Sequence, residues 1–376
     1  MIIKALQSIG SRLASLRGNR FPQTLASYRQ GRPISYADTR MAIEELNQLA
    51  KHHPQAVEVF LALGNLHRAQ GDLERAIRIR KTLLARPDLE PHYKGKALYE
   101  LGLDYRRSGF LDRAGESLAQ ARQLLGDDPV LLEEMAKLAA SEGSFALAAE
   151  YYEVLGYTLA QAHYLVRQAQ SDTADSGVVT DKRLLRKAIK IYPPAVEAWL
   201  EILIRDCSLA AWSDLASDYR QALNKVDPSL HFVLLEGLIR YLVNLKEENE
   251  IFTPDLAPEP ARVLLQVLSK REPDAILSYY AAWLALQRED REQAIQWLDR
   301  SLEMDPNFWP SRVELISLSA HKEDHSLEFK AHLDYLIRGC RRQRRFICRA
   351  CGLTREQIFF LCSRCHSWHS IAFVKS

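Results

Sequence analysis

Between residues 54 and 155 the apolar positions follow a helical period, and small residues punctuate them at regular steps. Leu63-Gly64, Leu101-Gly102 and Met135-Ala136 occupy equivalent places. Gly71, Gly109 and Gly143 form a second set, and Ala76, Ala114 and Ala148 a third, all separated by 38 and then 34 residues. The four extra residues fall in the linker from Pro87 to Pro91. This spacing predicts helix–turn–helix pairs. A small residue in the first set lets the first helix of a pair approach its partner. A glycine in the second set ends that helix where φ must be positive. An alanine in the third lets the second helix pack tightly, while Tyr105, Leu118 and Tyr152 fill the gaps between pairs. Pro54, Pro129, Pro193 and Pro306 start or separate the units.

The pattern resembles the tetratricopeptide repeat over residues 54–155 and weakens beyond them. Ala162–Pro193 reads as another pair, with a loose turn at Ser171–Thr180 and Ala188 in the small-residue role. Ala281–Pro306, with Ala294 and Trp297, is a clearer late unit. Residues 195–270 are helical by period but irregular, with a proline-rich break at Phe252–Pro260. One pair cannot bury its apolar face alone, so the pairs must stack. The fold class that follows is all-α, a superhelical solenoid with a concave groove. Such a surface favours binding over catalysis. In this register the groove carries Asn65, Arg68, Lys96, Tyr99, Arg106, Arg107 and Lys137, a set suited to an acidic peptide or a carboxylate terminus. The same residues are equally compatible with ordinary solvated helix positions.

At the N-terminal end, Ile2, Leu6, Ile9, Leu13 and Leu16 make one helical stripe interrupted by Lys4, Arg12 and Arg17. That is an amphipathic helix, too charged and too short to span a bilayer. Residues 1–20 could lie on an anionic membrane surface or cap the first repeat.

Composition adds little to the fold but something to the chemistry. Gly and Pro number only 16 and 15, and good helix formers dominate. The net charge of +2 hides two basic ends. Residues 1–40 hold Lys4, Arg12, Arg17, Arg20, Arg29, Arg32 and Arg40 against Asp38, and from Arg338 onward eight arginines and Lys375 oppose only Glu356. Contact with something anionic at either end is one reading; simple solubility is the other.

Four of the six cysteines lie within residues 348–365, as Cys348-Arg349-Ala350-Cys351 and Cys362-Ser363-Arg364-Cys365. Two such turns bring four thiolates together, the donor set of a closed tetrahedral site. Clustered cysteines without an export signal point to a reducing compartment, the cytoplasm. Zn²⁺ is the expected ion, with iron the alternative at this spacing, and Arg349, Arg355 and Arg364 would offset the site's negative charge. Gly352 suits a left-handed bend after the first pair. The apolar run Ile358-Phe359-Phe360-Leu361 predicts a short hairpin held by the metal. Trp368 would cover that hairpin or dock on the helices, with Phe359 and Phe360 as further anchors. His366 and His369 could be ligands, but with four thiolates available they are expected to be exposed or to lie just behind the ligands, and Cys207 and Cys340 read as plain thiols. The chain divides into a basic segment (1–34), the repeats (35–338) and a metal domain (339–376).

Leu63–Ile79, Leu101–Tyr105, Tyr28-Arg29-Gln30-Gly31 and the segment Cys348–Trp368 together resemble the lipopolysaccharide assembly protein B family, which joins tetratricopeptide repeats to a rubredoxin-like metal domain. The resemblance implies that Cys348, Cys351, Cys362 and Cys365 are the metal ligands. It also implies an adaptor role in restraining lipopolysaccharide synthesis. The partners implied are a deacetylase that commits precursors to lipid A and a membrane-bound ATP-dependent protease, at the inner membrane. The family usually begins with a transmembrane anchor, which the stripe of residues 2–16 does not supply. The competing readings are a general protein-interaction scaffold and a nucleic-acid-binding zinc ribbon. Aromatics are not interleaved with the arginines, apart from Phe346 and Phe359, which argues against nucleic acid. No P-loop, H-E-x-x-H or nucleophile motif is present, so neither an enzyme nor a small-molecule substrate is expected.

Overall fold

The computed structural model describes residues 36–53, 55–176, 181–248, 258–271, 273–320, 327–341 and 346–374. The expectations for residues 1–34, Pro54, residues 252–257 and Arg342–Arg345 lie outside these. The chain divides into two compact units, Met1–Tyr157 and Thr158–Ser376.

The first unit contains α1 (Tyr36–His52), α2 (Val57–Gln70), α3 (Leu73–Leu84), α4 (Pro91–Arg107), α5 (Leu111–Leu125), α6 (Pro129–Ser141) and α7 (Phe145–Val154). The predicted turns are present. Gly71, Gly109 and Gly143 have φ of 86°, 80° and 79°, and each following residue donates to the carbonyl five positions back, as Phe110 does to Tyr105 at 3.0 Å. Ala76, Ala114 and Ala148 are wholly buried. Asp72 and Asp128 cap the helices that follow them, and Pro91 and Pro129 sit in first turns, where no donor is lost.

The small residue at Gly64 serves a purpose that the sequence did not disclose. A Cβ there would stand 2.6 Å from the guanidinium carbon of Arg80. Arg80 is itself fully buried and donates to the Leu61 carbonyl at 2.8 Å and to the side chain of Asn65.

The second unit contains α8 (Thr158–Ser176), α9 (Lys182–Ile191), α10 (Val196–Ser208), α11 (Trp212–Lys225), α12 (His231–Glu248), α13 (Pro258–Leu268), α14 (Ala275–Gln287), α15 (Arg291–Met304), α16 (Trp309–Ala320) and α17 (Leu327–Arg341). Two expectations for these helices need correction. The loose turn expected from Ser171 does not begin there, because α8 stays helical to Ser176, with Ala169 buried on its inner face. The proline-rich break ends earlier than expected, since Pro258 opens α13, where its missing donor costs nothing.

Three short strands complete the unit: β1 (Phe346–Cys348), β2 (Thr354–Arg355) and β3 (Ile371–Phe373), antiparallel in the order β2-β1-β3. The hairpin expected at Ile358–Leu361 does not form. Ile358, Phe359 and Phe360 instead pack half-buried against the helical core, and Leu361 makes a single bridge to Trp368. The apolar run gains more from burial on neighbouring helices than it would as an isolated ribbon.

The helical core of this unit and the strand domain share one apolar cluster. Phe346, Ile371 and Phe373 lie within it beside Phe232, Tyr280 and Phe308. Phe232 stacks on Phe346 with ring centroids 5.8 Å apart, and Phe373 meets Phe308 at 5.6 Å. Close approach is secured at Gly237 on α12, where a Cβ would come within 3.2 Å of Ile358 and 2.5 Å of Leu200.

Candidate metal centre

The four cysteine sulfurs all lie within 4.8 Å of one another. Cys348 and Cys365 are 3.6 Å apart, and Cys351 and Cys362 are 3.7 Å apart. A tetrahedron of metal–sulfur bonds of about 2.3 Å has edges of about 3.8 Å, so the sulfurs stand at the spacing a bound ion requires. All six cysteines are unpaired thiols, and among the described residues this is the one cluster of three or more such donors.

Each pair of ligands sits in a turn that aims backbone amides at sulfur. Gly352 donates to the Cys348 carbonyl and His366 to the Cys362 carbonyl, both at 2.9 Å. Gly352 takes the left-handed φ of 72° that was expected, and His366 takes 55° at the matching place in the second turn. The Cys348 sulfur also meets the Ser370 hydroxyl at 3.1 Å, and Cys365 meets Ser367 at 3.3 Å.

The thiols are electrostatically in conflict without a cation. Burial works against a Cys348 thiolate, but hydrogen bonds from Ser370 and the amides of Cys351 and Ala350 outweigh it and bring the thiol down to about 6. At Cys351 the Leu353 amide favours the thiolate, yet burial and the sulfurs of Cys365 and Cys348 push it up to about 12. Four sulfurs this close cannot all ionise unless a positive ion holds them. The donor set therefore fits a soft divalent metal. Such an ion would be held by Cys348, Cys351, Cys362 and Cys365, and with no open position its chemistry would be structural.

Trp368 lies edge-on to His163 and Tyr164 of α8, with centroids 4.8 and 6.4 Å away. It thus docks on the helices, as one of its two expected roles had it. His366 is exposed, whereas His369 turns inward to Glu197 of α10. Glu197 is buried between His369 and His163. Burial works to raise its pKa, and the two imidazoles overcome this and hold the carboxyl down at about 2. Of the residues that seat the metal domain, Ile371 and Phe373 were not singled out from sequence, and Phe346 and His369 were noted there without this role. One signal was available: Phe346 alternates with the ligand Cys348 along a strand, which puts both on one face. Cys207 is buried, and desolvation pushes its thiol up to about 12, as befits an inert core residue.

Of the seven residues assigned to a groove from sequence, several are committed to acidic neighbours. Arg68 pairs with Glu100 at 2.6 Å and Asp104 at 2.9 Å, and its second nitrogen donates to Asn65. Arg106 pairs with Glu134 at 2.6 Å, and Lys137 with Glu133 and Glu134 at 2.8 and 3.0 Å. Burial, then the charge of Glu134, raises the pKa of Tyr99. Lys96 lies near the Tyr93 ring, and Arg107 is exposed.

A family model described as tetratricopeptide repeat matches residues 37–85 and 261–307, one stretch in each unit. The chain is 25% identical over 359 residues to lipopolysaccharide assembly protein B of Escherichia coli (strain K12), covering 88% of this chain and 84% of that one. The protein of the same name from Haemophilus influenzae is 28% identical, over 57% of this chain and 49% of its own. Among solved structures, a tetratricopeptide repeat protein from Parabacteroides merdae is similar at a TM-score of 0.34 and 16% identity, covering 79% and 99% of the two chains. The resemblance drawn from the sequence is borne out, and the fold is a helical repeat array with a four-cysteine domain at its C-terminal end.

Proposed function

We propose that this chain, similar over most of its length to lipopolysaccharide assembly protein B, is a non-enzymatic adaptor in lipopolysaccharide assembly. The observation that carries this reading is that similarity, which extends over 88% of the chain and accompanies a four-thiol centre built into a repeat scaffold. Repeat arrays bind polypeptides through extended surfaces, and a closed four-thiolate site offers no open position for a substrate. In the finer form of the proposal, the adaptor brings the deacetylase that commits precursors to lipid A to a membrane ATP-dependent protease. The metal is zinc, which leaves the centre without redox work. The exposed part of the groove, with Arg107 and Lys96, contacts acidic segments of the client.

The protein acts in the cytoplasm at the inner membrane, where residues 1–20 touch anionic lipid. Salt-sensitive binding to anionic vesicles that disappears on removing residues 1–20 supports that placement, and binding indifferent to the deletion contradicts it. The adaptor role is tested by affinity capture from the native Gram-negative cell. The deacetylase and the protease should be retained together, and recovery of neither would overturn the reading.

A further inference from the structure

The outer faces of neighbouring helices in the second unit carry cations that no carboxylate answers. On α9, Arg183, Lys187 and Lys190 recur at steps of four and three, which sets them in one row along the helix. All three are exposed, and none makes an ion pair among the described residues. The cations one step inward are treated differently. The Lys182 ammonium lies 3.1 Å from Asp206 and 3.0 Å from Asp218, and the Arg186 guanidinium lies 2.5 Å from Asp218. The helices neutralise the cations they cover and leave the outer row bare.

The same ion pairs fix how the helices run. Lys182 reaches Asp214 and Asp218, and Arg186, one turn on, reaches Asp218. So α9 and α11 advance in the same direction, and Lys190 and Lys225 at their C-terminal ends fall on one edge. Arg271, just past α13, donates to the side chain of Asn224 and brings the exposed Lys270 to that edge. Asp227 stands there too. Its carboxylate accepts from the Ser229 amide at 2.8 Å, and it also feels the charge of the exposed Arg349 of the metal domain.

Helix C-termini favour cations for their own sake, which accounts for Lys190 and Lys225 but not for the row. Arg183 lies in the first turn of α9, where the helix dipole opposes positive charge and no acidic residue follows the cap. Among the described residues, no exposed large apolar side chain belongs to α9, α11, α13 or β1. A peptide docks through side-chain anchors as well as charge, and single-stranded nucleic acid through stacking aromatics. A lipid headgroup surface asks only for cations spread over an area.

We propose that this basic edge of the second unit rests on the anionic headgroups of a bilayer, whose phosphates accept from Lys187, Lys190, Lys225 and Lys270. The inference deepens the placement at the inner membrane and rests on that reading. Residues 1–20 supply one contact and this edge a second, and the two together hold more tightly than either alone.

The test uses the full-length, metal-loaded chain and vesicles of phosphatidylcholine, alone or mixed with phosphatidylglycerol. Lys187→Gln with Lys190→Gln should weaken sedimentation with the mixed vesicles by about tenfold or more, since each lysine near an anionic surface contributes roughly fivefold. Lys225→Gln with Lys270→Gln should do the same. Lys51→Gln with Lys94→Gln removes equal charge from exposed positions of the first unit and should change binding less than threefold. Acylation of lysine side chains, read by mass spectrometry, should find the four edge lysines protected when mixed vesicles are bound. All four are exposed, so unchanged melting curves keep the variants interpretable. An equal loss from the Lys51 and Lys94 pair, no protection of the edge lysines, or edge variants that bind like wild type each overturns the proposal. Binding of soluble polyglutamate that the Lys187 and Lys190 pair abolishes, with vesicle binding kept, overturns it in favour of an acidic polypeptide. Binding lost on removing residues 1–20 but indifferent to the edge variants contradicts this inference alone. The reverse pattern supports it and contradicts the contact made by residues 1–20.

Discussion

His369 of the metal domain places its Nε2 nitrogen 2.8 Å from the carboxylate of Glu197 on α10. His163 of α8 approaches the other carboxylate oxygen at 3.2 Å, so the metal domain is tied to the helices by a buried carboxylate held between two imidazoles as well as by aromatic packing. Two consequences follow. Glu197→Ala leaves two imidazoles without their acceptor and should cost about 3–5 kcal/mol in the second unit. The carboxyl pKa of Glu197 is lower in the folded chain, at about 2, than in the unfolded chain. Its contribution is therefore complete above the ordinary carboxylate value and is lost as pH falls from there toward 2. Urea unfolding of wild type and Glu197→Ala should differ most at neutral pH and converge between about pH 4 and pH 2. A difference that persists at pH 2 would contradict this assignment.

Metal removal should act well beyond the strands. Small zinc domains draw on the order of 10 kcal/mol from their ion, and here Phe346 and Phe373 belong to the same apolar cluster as the helices. Chelation should lower the melting temperature of the second unit while the transition of residues 36–157 stays in place. Elemental analysis should give one zinc per chain. Stoichiometric iron would contradict the zinc assignment, and helices of the second unit indifferent to chelation would contradict the coupling.

The aromatic seat can be tested without touching a ligand. Phe346 is fully buried and Phe373 nearly so. Phe346→Ala or Phe373→Ala should each cost about 3–5 kcal/mol and weaken metal retention in competition with a chromophoric chelator. Stability loss with metal affinity unchanged would mean that the seat and the centre are independent.

The repeats were legible where their turn residues were glycine and lost where they were not. Gly71, Gly109 and Gly143 marked the register directly. In the second unit the same left-handed turn is made by Ala210, at φ 52°, and Glu289, at φ 61°. Ala211 donates to Asp206 at 2.8 Å and Asp290 to Ala285 at 3.1 Å, as in the glycine turns. Counting seven residues back and five forward from Ala210 gives Leu203 and Leu215 in the places of the small residues, both fully buried. All three markers of that pair are replaced, so pattern reading had nothing to hold. From Glu289 the same count gives Ala282 and Ala294, which is why that late unit remained visible. The four cysteines were legible because their chemistry is local. The docking was legible only from one side: Trp368, Phe359 and Phe360 stood out as apolar anchors, but the helical residues that receive the domain, such as His163, Glu197 and Phe232, lie more than a hundred residues away in the chain.

A left-handed alanine carries a cost of about 1–2 kcal/mol that glycine avoids. Ala210→Gly should therefore stabilise the second unit by about 1 kcal/mol, offset in part by added freedom in the unfolded chain. Destabilisation on thermal unfolding would show that the Ala210 methyl group is needed for packing.

If the metal domain is integral to the proposed adaptor, its loss should spare the deacetylase from degradation. The most direct measurement is the half-life of the deacetylase in Gram-negative cells whose only copy of this chain carries Cys348→Ser. The account predicts a lengthened half-life and accumulation of the deacetylase, as severe as after deletion of residues 339–376. A half-life equal to that with the wild-type chain would contradict it.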